Sequence, residues 1–453
     1  MMIKAILPTT FLIATLCMPA LAADYELIDL GTMGGVSSIG EDINNLGQVT
    51  GKITYPNPDQ NDYDEDVLRA FFYDGSTMHE IGTLYSTHDR SYGSGINNHG
   101  DIAGTSADIG FWGDYDYKAF RYNENGMQDL NQLLPSTCNL GSRAFDINDN
   151  GEATGTCAYY IDLTWGTEEI HAFLFDGSTM QDLGALIGQW SVGYAINNDG
   201  HITGVTKLGN DYHAYVFDGR KMRDLGTLGG QHSHGRDIND SGHVVGGSYI
   251  SMDEYIYHAF LHDGTMRDLG SLAGPDEYSY AYGINNSSHV VGRSRTSNGD
   301  YAAFLFDGNE MLDLCVLTDC IAKGWTNLGS ANAINDNGDI TGYGEINGET
   351  HAFLALASDQ NSTKENCSDG IDNDSDLKVD CEDTEDCAQD QSCQTQLPQP
   401  EICDNGVDDD LDGLEDCLDR RDCRLQPSCE TLGGGTGGGG GGTGGGGGGG
   451  KNR

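Results

Sequence analysis

Seven times along the chain, at Ile43, Ile96, Ile147, Ile196, Ile238, Ile284 and Ile334, an Ile-Asn-x-x-Gly segment is followed four residues later by a second glycine. Such recurrence marks a repeat protein, in which no unit can bury its apolar face alone and each must stack on its neighbours. The later glycine is present in every copy (Gly51, Gly104, Gly155, Gly204, Gly246, Gly292, Gly342), whereas the earlier one gives way once, to Ser288.

A full unit reads Ala-Phe-x-x-Asp-Gly, then Met-x-Asp-Leu-Gly, then a variable stretch, then Ile-Asn-x-x-Gly and a short run rich in Val, Ile and Thr; one good copy runs from Ala172 to Gly204. Short alternating apolar runs cut by Asp-Gly and Asn-Asp-Gly turns predict β-hairpins, four strands to a unit. Asp-Gly pairs at 74–75, 176–177, 218–219, 263–264 and 307–308 suit the positive φ angles of tight hairpins, so the recurring glycines are read as structural. No helix pattern follows any of them, which argues against a phosphate-cradling loop.

The Ala-Phe strand also recurs seven times, at Phe71, Phe120, Phe173, Tyr215, Phe260, Phe304 and Phe353, but out of phase with Ile-Asn at the ends. Tyr25 to Gly31 is an Asp-Leu-Gly strand with no Ala-Phe strand before it, and His351-Ala352-Phe353-Leu354 has no Asp-Leu-Gly strand after it. Pairing the two would assemble one blade from both ends and remove the open edges of the sheet array. Residues 24 to 357 shared among seven units give about 48 each, within the range for propeller blades. The expected fold is therefore all-β, a seven-bladed β-propeller over 23–357 closed by pairing of N- and C-terminal strands. A linear β-solenoid is the competing architecture, and its terminal repeats would be atypical caps instead of complementary halves.

The segments Ala-Phe-Leu-Phe-Asp-Gly, Met-x-Asp-Leu-Gly-x-Leu-Gly-Gly (best at 222–230) and Ile-Asn-x-x-Gly-x-Val-Val-Gly (238–246) resemble the extracellular HAF repeats of bacteria over residues 24 to about 357. That resemblance implies an exported bacterial protein and no particular mechanism. Departures are modest: Arg69, Lys118 and Ala302 stand where the motif has histidine, and Asn131 and Cys315 replace the glycine of Asp-Leu-Gly.

The N-terminus agrees with export. Lys4 precedes an apolar run from Ala5 to Met18, and Ala20-Leu21-Ala22 has the small-x-small pattern of a signal peptidase site, so residues 1–22 are expected to be a signal peptide and Cys17 to leave with it. No other stretch reaches the 18 or so apolar residues of a spanning helix. A net charge of −48, from 71 acidic and 23 basic residues, sets nucleic acid and anionic lipid aside as partners.

In a four-stranded meander the tight turns share one face of the ring and the variable connections share the other, which is where binding tends to sit on a rigid scaffold. Those connections carry Tyr55, Asp62, Tyr63, Asp64 and Asp66, then Phe111, Trp112, Tyr115 and Tyr117, then Tyr159, Tyr160 and Trp165, then Tyr249, Tyr255 and Tyr257. Aromatic platforms beside carboxylates suit sugars or peptides, and solvated loops packing their own aromatics are the plainer alternative. His171, His213, His258 and His351 share one repeat position, read as the start of the innermost strand; they would either ring the channel as metal ligands or simply end a strand. Asp62-x-Asp64-x-Asp66 lacks the glycine bend of a calcium loop. Each Asp of Asp-Leu-Gly reads as a turn residue more than as a general acid, and no paired carboxylate or activated nucleophile stands out.

Cys138, Cys157, Cys315 and Cys320 are expected to form two disulfides in an exported protein, with three pairings open. From Cys367 a second repeat of period 36 begins: Cys367, Cys381, Cys387 and Cys393 recur as Cys403, Cys417, Cys423 and Cys429. Asp408, Asp410, Asp412, Gly413, Asp416 and Asp419 occupy positions 1, 3, 5, 6, 9 and 12 of a calcium loop. The first copy offers Asp372, Asp374, Asp376, Asp380 and Asp383 but has Leu377 in place of the glycine. A disulfide-stapled acidic spacer is the alternative, and zinc is disfavoured because thiols would be oxidised. Both copies resemble the Cys-x-x-Gly-x-Asp-x-Asp repeats, assigned to metal binding, at the ends of bacterial surface proteins. Domain limits follow as two modules within 358–432 (367–393 and 403–429) and a glycine-rich tether over 433–453.

The leading expectation is a secreted or surface-displayed, non-enzymatic binding or adhesion protein, with Ca2+ in its C-terminal modules and an extracellular polymer or protein as ligand. The rivals are an extracellular polysaccharide hydrolase or lyase on the same scaffold, and a structural spacer.

Overall fold

The computed structural model describes residues 25–57, 66–85, 90–109, 115–135, 138, 140–162, 167–186, 190–252 and 255–357. Contacts divide the chain into two units at Ser358–Asp359, and all described residues belong to the first. Nearly everything in it is antiparallel sheet.

Five separate four-stranded sheets follow one another along the chain, and a sixth, eight-stranded sheet contains both ends. That larger sheet is two four-stranded units touching through a single parallel bridge, Ser37 to Thr350. Counted this way, seven four-stranded blades are present among the described residues. The first blade runs Ser37–Ile43, Val49–Tyr55, Val67–Tyr73 and Met78–Gly82. The seventh runs Trp325–Ile334, Ile340–Ile346 and Glu349–Ala357, and its fourth strand is the N-terminal Tyr25–Gly31, paired antiparallel to Glu349–Ala357 from Tyr25↔Ala357 to Gly31↔Ala352. The phase offset of the two motifs is thus resolved as a blade shared by both ends. The first strands of successive blades touch all the way round, the seventh returning to the first, so the array is a closed β-propeller and not a solenoid.

The structure corrects one part of the sequence reading. The innermost strand is the one that ends in Ile-Asn, and the Ala-Phe strand lies third from the axis. Crowding explains the order, since a ring is tightest at its centre. Glycine or alanine (Gly40, Gly93, Ala144, Gly193, Gly235, Ala281, Ala331) occurs three residues before each repeated isoleucine. A Cβ on Gly93 would lie 2.1 Å from the Thr50 hydroxyl of the preceding blade. The aromatic rings instead need the wider space further out. Phe71, Phe120, Phe173, Tyr215, Phe260, Phe304 and Phe353 are all fully buried, in clusters such as Ala70, Ile96, Ile102 and Phe120 that span two blades. The core is therefore distributed between neighbouring blades, each buried aromatic contributing roughly 1.5–3 kcal/mol.

The two repeated glycines serve different ends. The earlier one holds a left-handed backbone, φ +69° at Gly47, and Ser288 adopts φ +63° where glycine is missing. The later one sits directly opposite the Ala-Phe aromatic, as Gly204 does opposite Tyr215, and a Cβ there would lie 1.8 Å from the Val192 carbonyl oxygen. Close approach between strands requires it.

Candidate functional site

On the tight-turn face the asparagine of every Ile-Asn closes the ring. Each carboxamide donates to the backbone carbonyl of its counterpart in the next blade, in the order Asn44, Asn97, Asn148, Asn197, Asn239, Asn285, Asn335 and back to Asn44, at 2.9–3.1 Å. Its oxygen accepts from backbone N–H groups of its own turn, so the buried amide is satisfied on both sides. The following residues (Asn45, Asn98, Asp149, Asn198, Asp240, Asn286, Asp336) form a second closed circuit. Each backbone N–H donates to the next side-chain oxygen at 2.8–3.0 Å. The carboxylates of Asp149, Asp240 and Asp336 also accept from the flanking asparagine amides. Protein donors solvate these charges, and the belt is a lock across the channel mouth.

One layer inward, Asp42, Asp146 and Asp237 each accept the N–H of their own neighbouring isoleucine and that of the next blade's isoleucine, at 2.7–2.9 Å. The other four blades have Gly95, Ala195, Gly283 and Ala333 here. A Cβ on Gly95 would lie 2.7 Å from Asp146, so a second bulky side chain does not fit beside the first. Enclosure by protein pushes Asp42 up to about 7 and Asp237 up to about 6, and raises Asp146 well above the carboxylate range, with repulsion from Asp42 adding to it.

Beyond this layer, towards the face that carries the variable connections, the channel widens into an open cavity of about 610 Å³. Its wall has a repeating origin. Every first strand carries a bulge two residues before its isoleucine, and the residue left unpaired is Glu41, Ser94, Phe145, Tyr194, Arg236, Tyr282 or Asn332. All seven line the cavity. A bulge releases one residue from the ladder and re-aims it, here into the channel. Ile39, Tyr92, Arg143, Lys52, Arg293, Tyr117 and Tyr343 complete much of the wall.

The cavity is basic inside a strongly acidic chain. Lys52 pairs with Glu41 at 2.6 Å, which leaves Arg143, Arg236 and Arg293. These are held by tyrosines: Arg143 lies 3.6 Å above the Tyr117 ring, Arg236 lies 4.3 Å above Tyr194 and donates to the Tyr280 hydroxyl, and Arg293 lies 5.5 Å from Tyr278. Burial raises the Tyr92 and Tyr282 phenols above their ordinary value, so they carry no compensating negative charge at neutral pH. Among the described residues no carboxylate pairs with any of the three arginines.

A second feature lies on the same face, over the fourth to sixth blades. Trp190, Tyr212, His232, Tyr249, Tyr257, Tyr278 and Tyr301 form a ladder of rings with successive centroids 4.1–6.4 Å apart. Tyr255, 83 % exposed, stands against Tyr249, and Tyr301 is 37 % exposed at the far end. The rungs come from strand starts and ends, where the third strand of one blade meets the first of the next, as in the Tyr212–His232 bridge. Tyr249, Tyr255 and Tyr257 are legible in the sequence as part of a variable connection. Trp190, Tyr212, His232, Tyr278 and Tyr301 are not, because their spacing has no local period.

The histidine ring is overturned. His171, His213, His258 and His351 lie on third strands, and each Nδ1 meets the Asp of the Asp-Leu-Gly strand in its own blade: Asp182, Asp224 and Asp268 at 2.9 Å, and Asp29 at 2.8 Å across the seam between the chain ends. The same aspartates accept the N–H of the glycine two residues on, which gives them the turn role expected. Where that glycine is replaced by Asn131 or Cys315, Asp129 and Asp313 instead cap one-turn helices, Leu130–Leu133 and Leu314–Leu317. Another stitch escaped the sequence reading. Ser38, Ser91, Ser142, Ser191, Ser233 and Ser279, all buried, accept the N–H of the alanine in the preceding blade's Ala-Phe pair at 2.8–3.2 Å.

Disulfides join Cys138 to Cys157 and Cys315 to Cys320, one of the three pairings left open. Asp62 and Asp64 lie outside the described residues. So do Asp372, Asp374, Asp376, Asp380, Asp383, Asp408, Asp410, Asp412, Asp416 and Asp419 of the acidic modules. No helix among the described residues is long and apolar enough to cross a membrane.

No protein-family model and no curated protein matches the chain. Solved structures do. TolB from Acinetobacter baumannii aligns at 13 % identity over 58 % of this chain, with a TM-score of 0.38, and the chain spans 62 % of that structure. The β-propeller domain of the trilobed protease from Pyrococcus furiosus aligns at 11 % identity over 65 % of this chain and 96 % of that one, TM-score 0.36. A Trypanosoma rangeli sialidase aligns at 9 % identity over 71 % of this chain and 54 % of that one, TM-score 0.34. Likenesses this slight say nothing about ligand or reaction.

Proposed function

We propose that the protein is an exported, non-enzymatic binding module whose variable-loop face engages an extracellular polymer. The aromatic ladder over the fourth to sixth blades carries this reading. A row of partly exposed rings on a rigid sheet scaffold offers repeated stacking surfaces at low entropic cost. The extracellular placement rests on the signal-like N-terminus, the two disulfides and the resemblance to HAF repeats. The acidic modules of 358–432 would hold calcium through the aspartates at loop spacing.

The test is binding of the full exported chain to a panel of extracellular polysaccharides and polypeptides, with Trp190→Ala/Tyr255→Ala as the comparison. Retention of one polymer class that falls about tenfold in the double variant, at unchanged thermal midpoint, is expected, since two stacking contacts of about 0.5–1.5 kcal/mol each are lost. Equal retention by both proteins sinks the ladder as the contact surface. Release of shortened products from any polymer would revive the hydrolase or lyase reading.

A further inference from the structure

We propose that the central cavity is a separate binding site for a carboxylate-bearing sugar unit. Arg143, Arg236 and Arg293 face one cavity without a carboxylate partner among the described residues. Arg236 and Arg293 are partly buried, and leaving such cations without a counter-charge is costly unless an anion completes the set, with the exposed Arg143 at its rim. Guanidinium forks match a carboxylate in two parallel hydrogen bonds. The remaining wall suits a sugar ring: Tyr194, Tyr282 and Phe145 offer flat faces, and Asn332 offers both a donor and an acceptor. A cavity of about 610 Å³, closed below by the asparagine belt, admits a small saccharide and excludes a folded protein.

The chain's net charge of −48 repels anions at long range, but screening confines that to about 8–10 Å at moderate salt, within which the local arginines dominate. One variable residue per blade supplies the wall, so the cavity's chemistry is set independently of the repeated framework. This assignment does not need the ladder, and the two fail separately.

Calorimetric titration of the full chain with galacturonate and its dimer, against galactose and inorganic sulfate, tests it. Saturable binding of the uronates is expected, at least about tenfold tighter than galactose, with a loss of about ten- to a hundredfold in Arg143→Ala and Arg236→Met. Arg143 is exposed and its replacement leaves the core intact, so that variant decides the matter if Arg236→Met does not fold. Val316→Ala, at an exposed position that lines neither the cavity nor the ladder, should leave uronate binding unchanged. Absence of saturable binding, equal binding of galactose, equal binding of sulfate, or an Arg143→Ala protein that binds as the parent does would each overturn the proposal.

Discussion

At the scale of single residues, the repeat is a set of inter-blade bonds written into side chains. Asn197 illustrates it: one carboxamide reaches the next blade's carbonyl at 2.9 Å while its oxygen orders the local turn. The buried aspartates put a pH dependence into this layer. Asp42 titrates near 7 and Asp237 near 6 in the folded chain, against an ordinary value of 3.8. Folded protein therefore binds protons more readily than unfolded protein between about pH 4 and 7, and their contribution to stability is present at low pH and lost as pH rises through 6 to 7. Asp74 and Asp176, held well below the usual range by the N–H and hydroxyl groups of their turns, act oppositely but only in strong acid. Thermal unfolding followed from pH 8 to pH 5.5 should show a rising midpoint, and Asp42→Asn should flatten that rise. Parallel slopes in the two proteins would mean that Asp42 does not titrate there.

At the scale of elements, turn chemistry and strand alternation were legible because each depends on residues a few positions apart. Asp-Gly and Ile-Asn-x-x-Gly mark most of the tight turns, though not those at Asn123–Gly126, Leu208–Asp211 and Ile346–Glu349, and the unmatched ends of the two motifs imply the shared blade. Strand order about the axis is not legible in the sequence, whose pattern puts the Ala-Phe strand innermost where the structure has it third. Both strands are apolar and similar in length; only packing against the next blade distinguishes a glycine-rich edge from an aromatic one. The cavity-lining slot left a faint signal, a position that varies from Glu41 to Tyr282 within otherwise uniform strands. Alternation alone misleads there, since the bulge resets which side each residue faces. Closure makes its own prediction. Removing residues 25–31 strips Glu349–Ala357 of its partner and exposes the surface now covered by Tyr25, Leu27, Ile28 and Leu30. A loss of roughly 3–6 kcal/mol is expected, with aggregation through the bared edge. Denaturant midpoints and light scattering would report it, and an unchanged midpoint would show the seam to be dispensable.

At the scale of the molecule, the ring and the acidic modules are distinct in composition, the first rich in apolar strands and the second in cysteine and aspartate. If the modules hold calcium, titration of the full chain with the ion should show saturable heat that Asp408→Ala and Asp410→Ala diminish, while EDTA leaves the β-sheet circular dichroism of the ring unaltered. Loss of ring structure in EDTA would instead place the ion within the propeller's own stability. What the sequence by itself determined is the repeat, its turns and the need to close, since these follow from backbone preferences of adjacent residues and from the count of complementary strands. What only the tertiary structure decided is which strand meets the axis, which histidine meets which aspartate, and which side chains share the cavity. Those outcomes depend on contacts between neighbouring strands, such as His171 with Asp182, or between neighbouring blades, such as Asn44 with Asn97, and become fixed only when all the blades are pressed together around one axis.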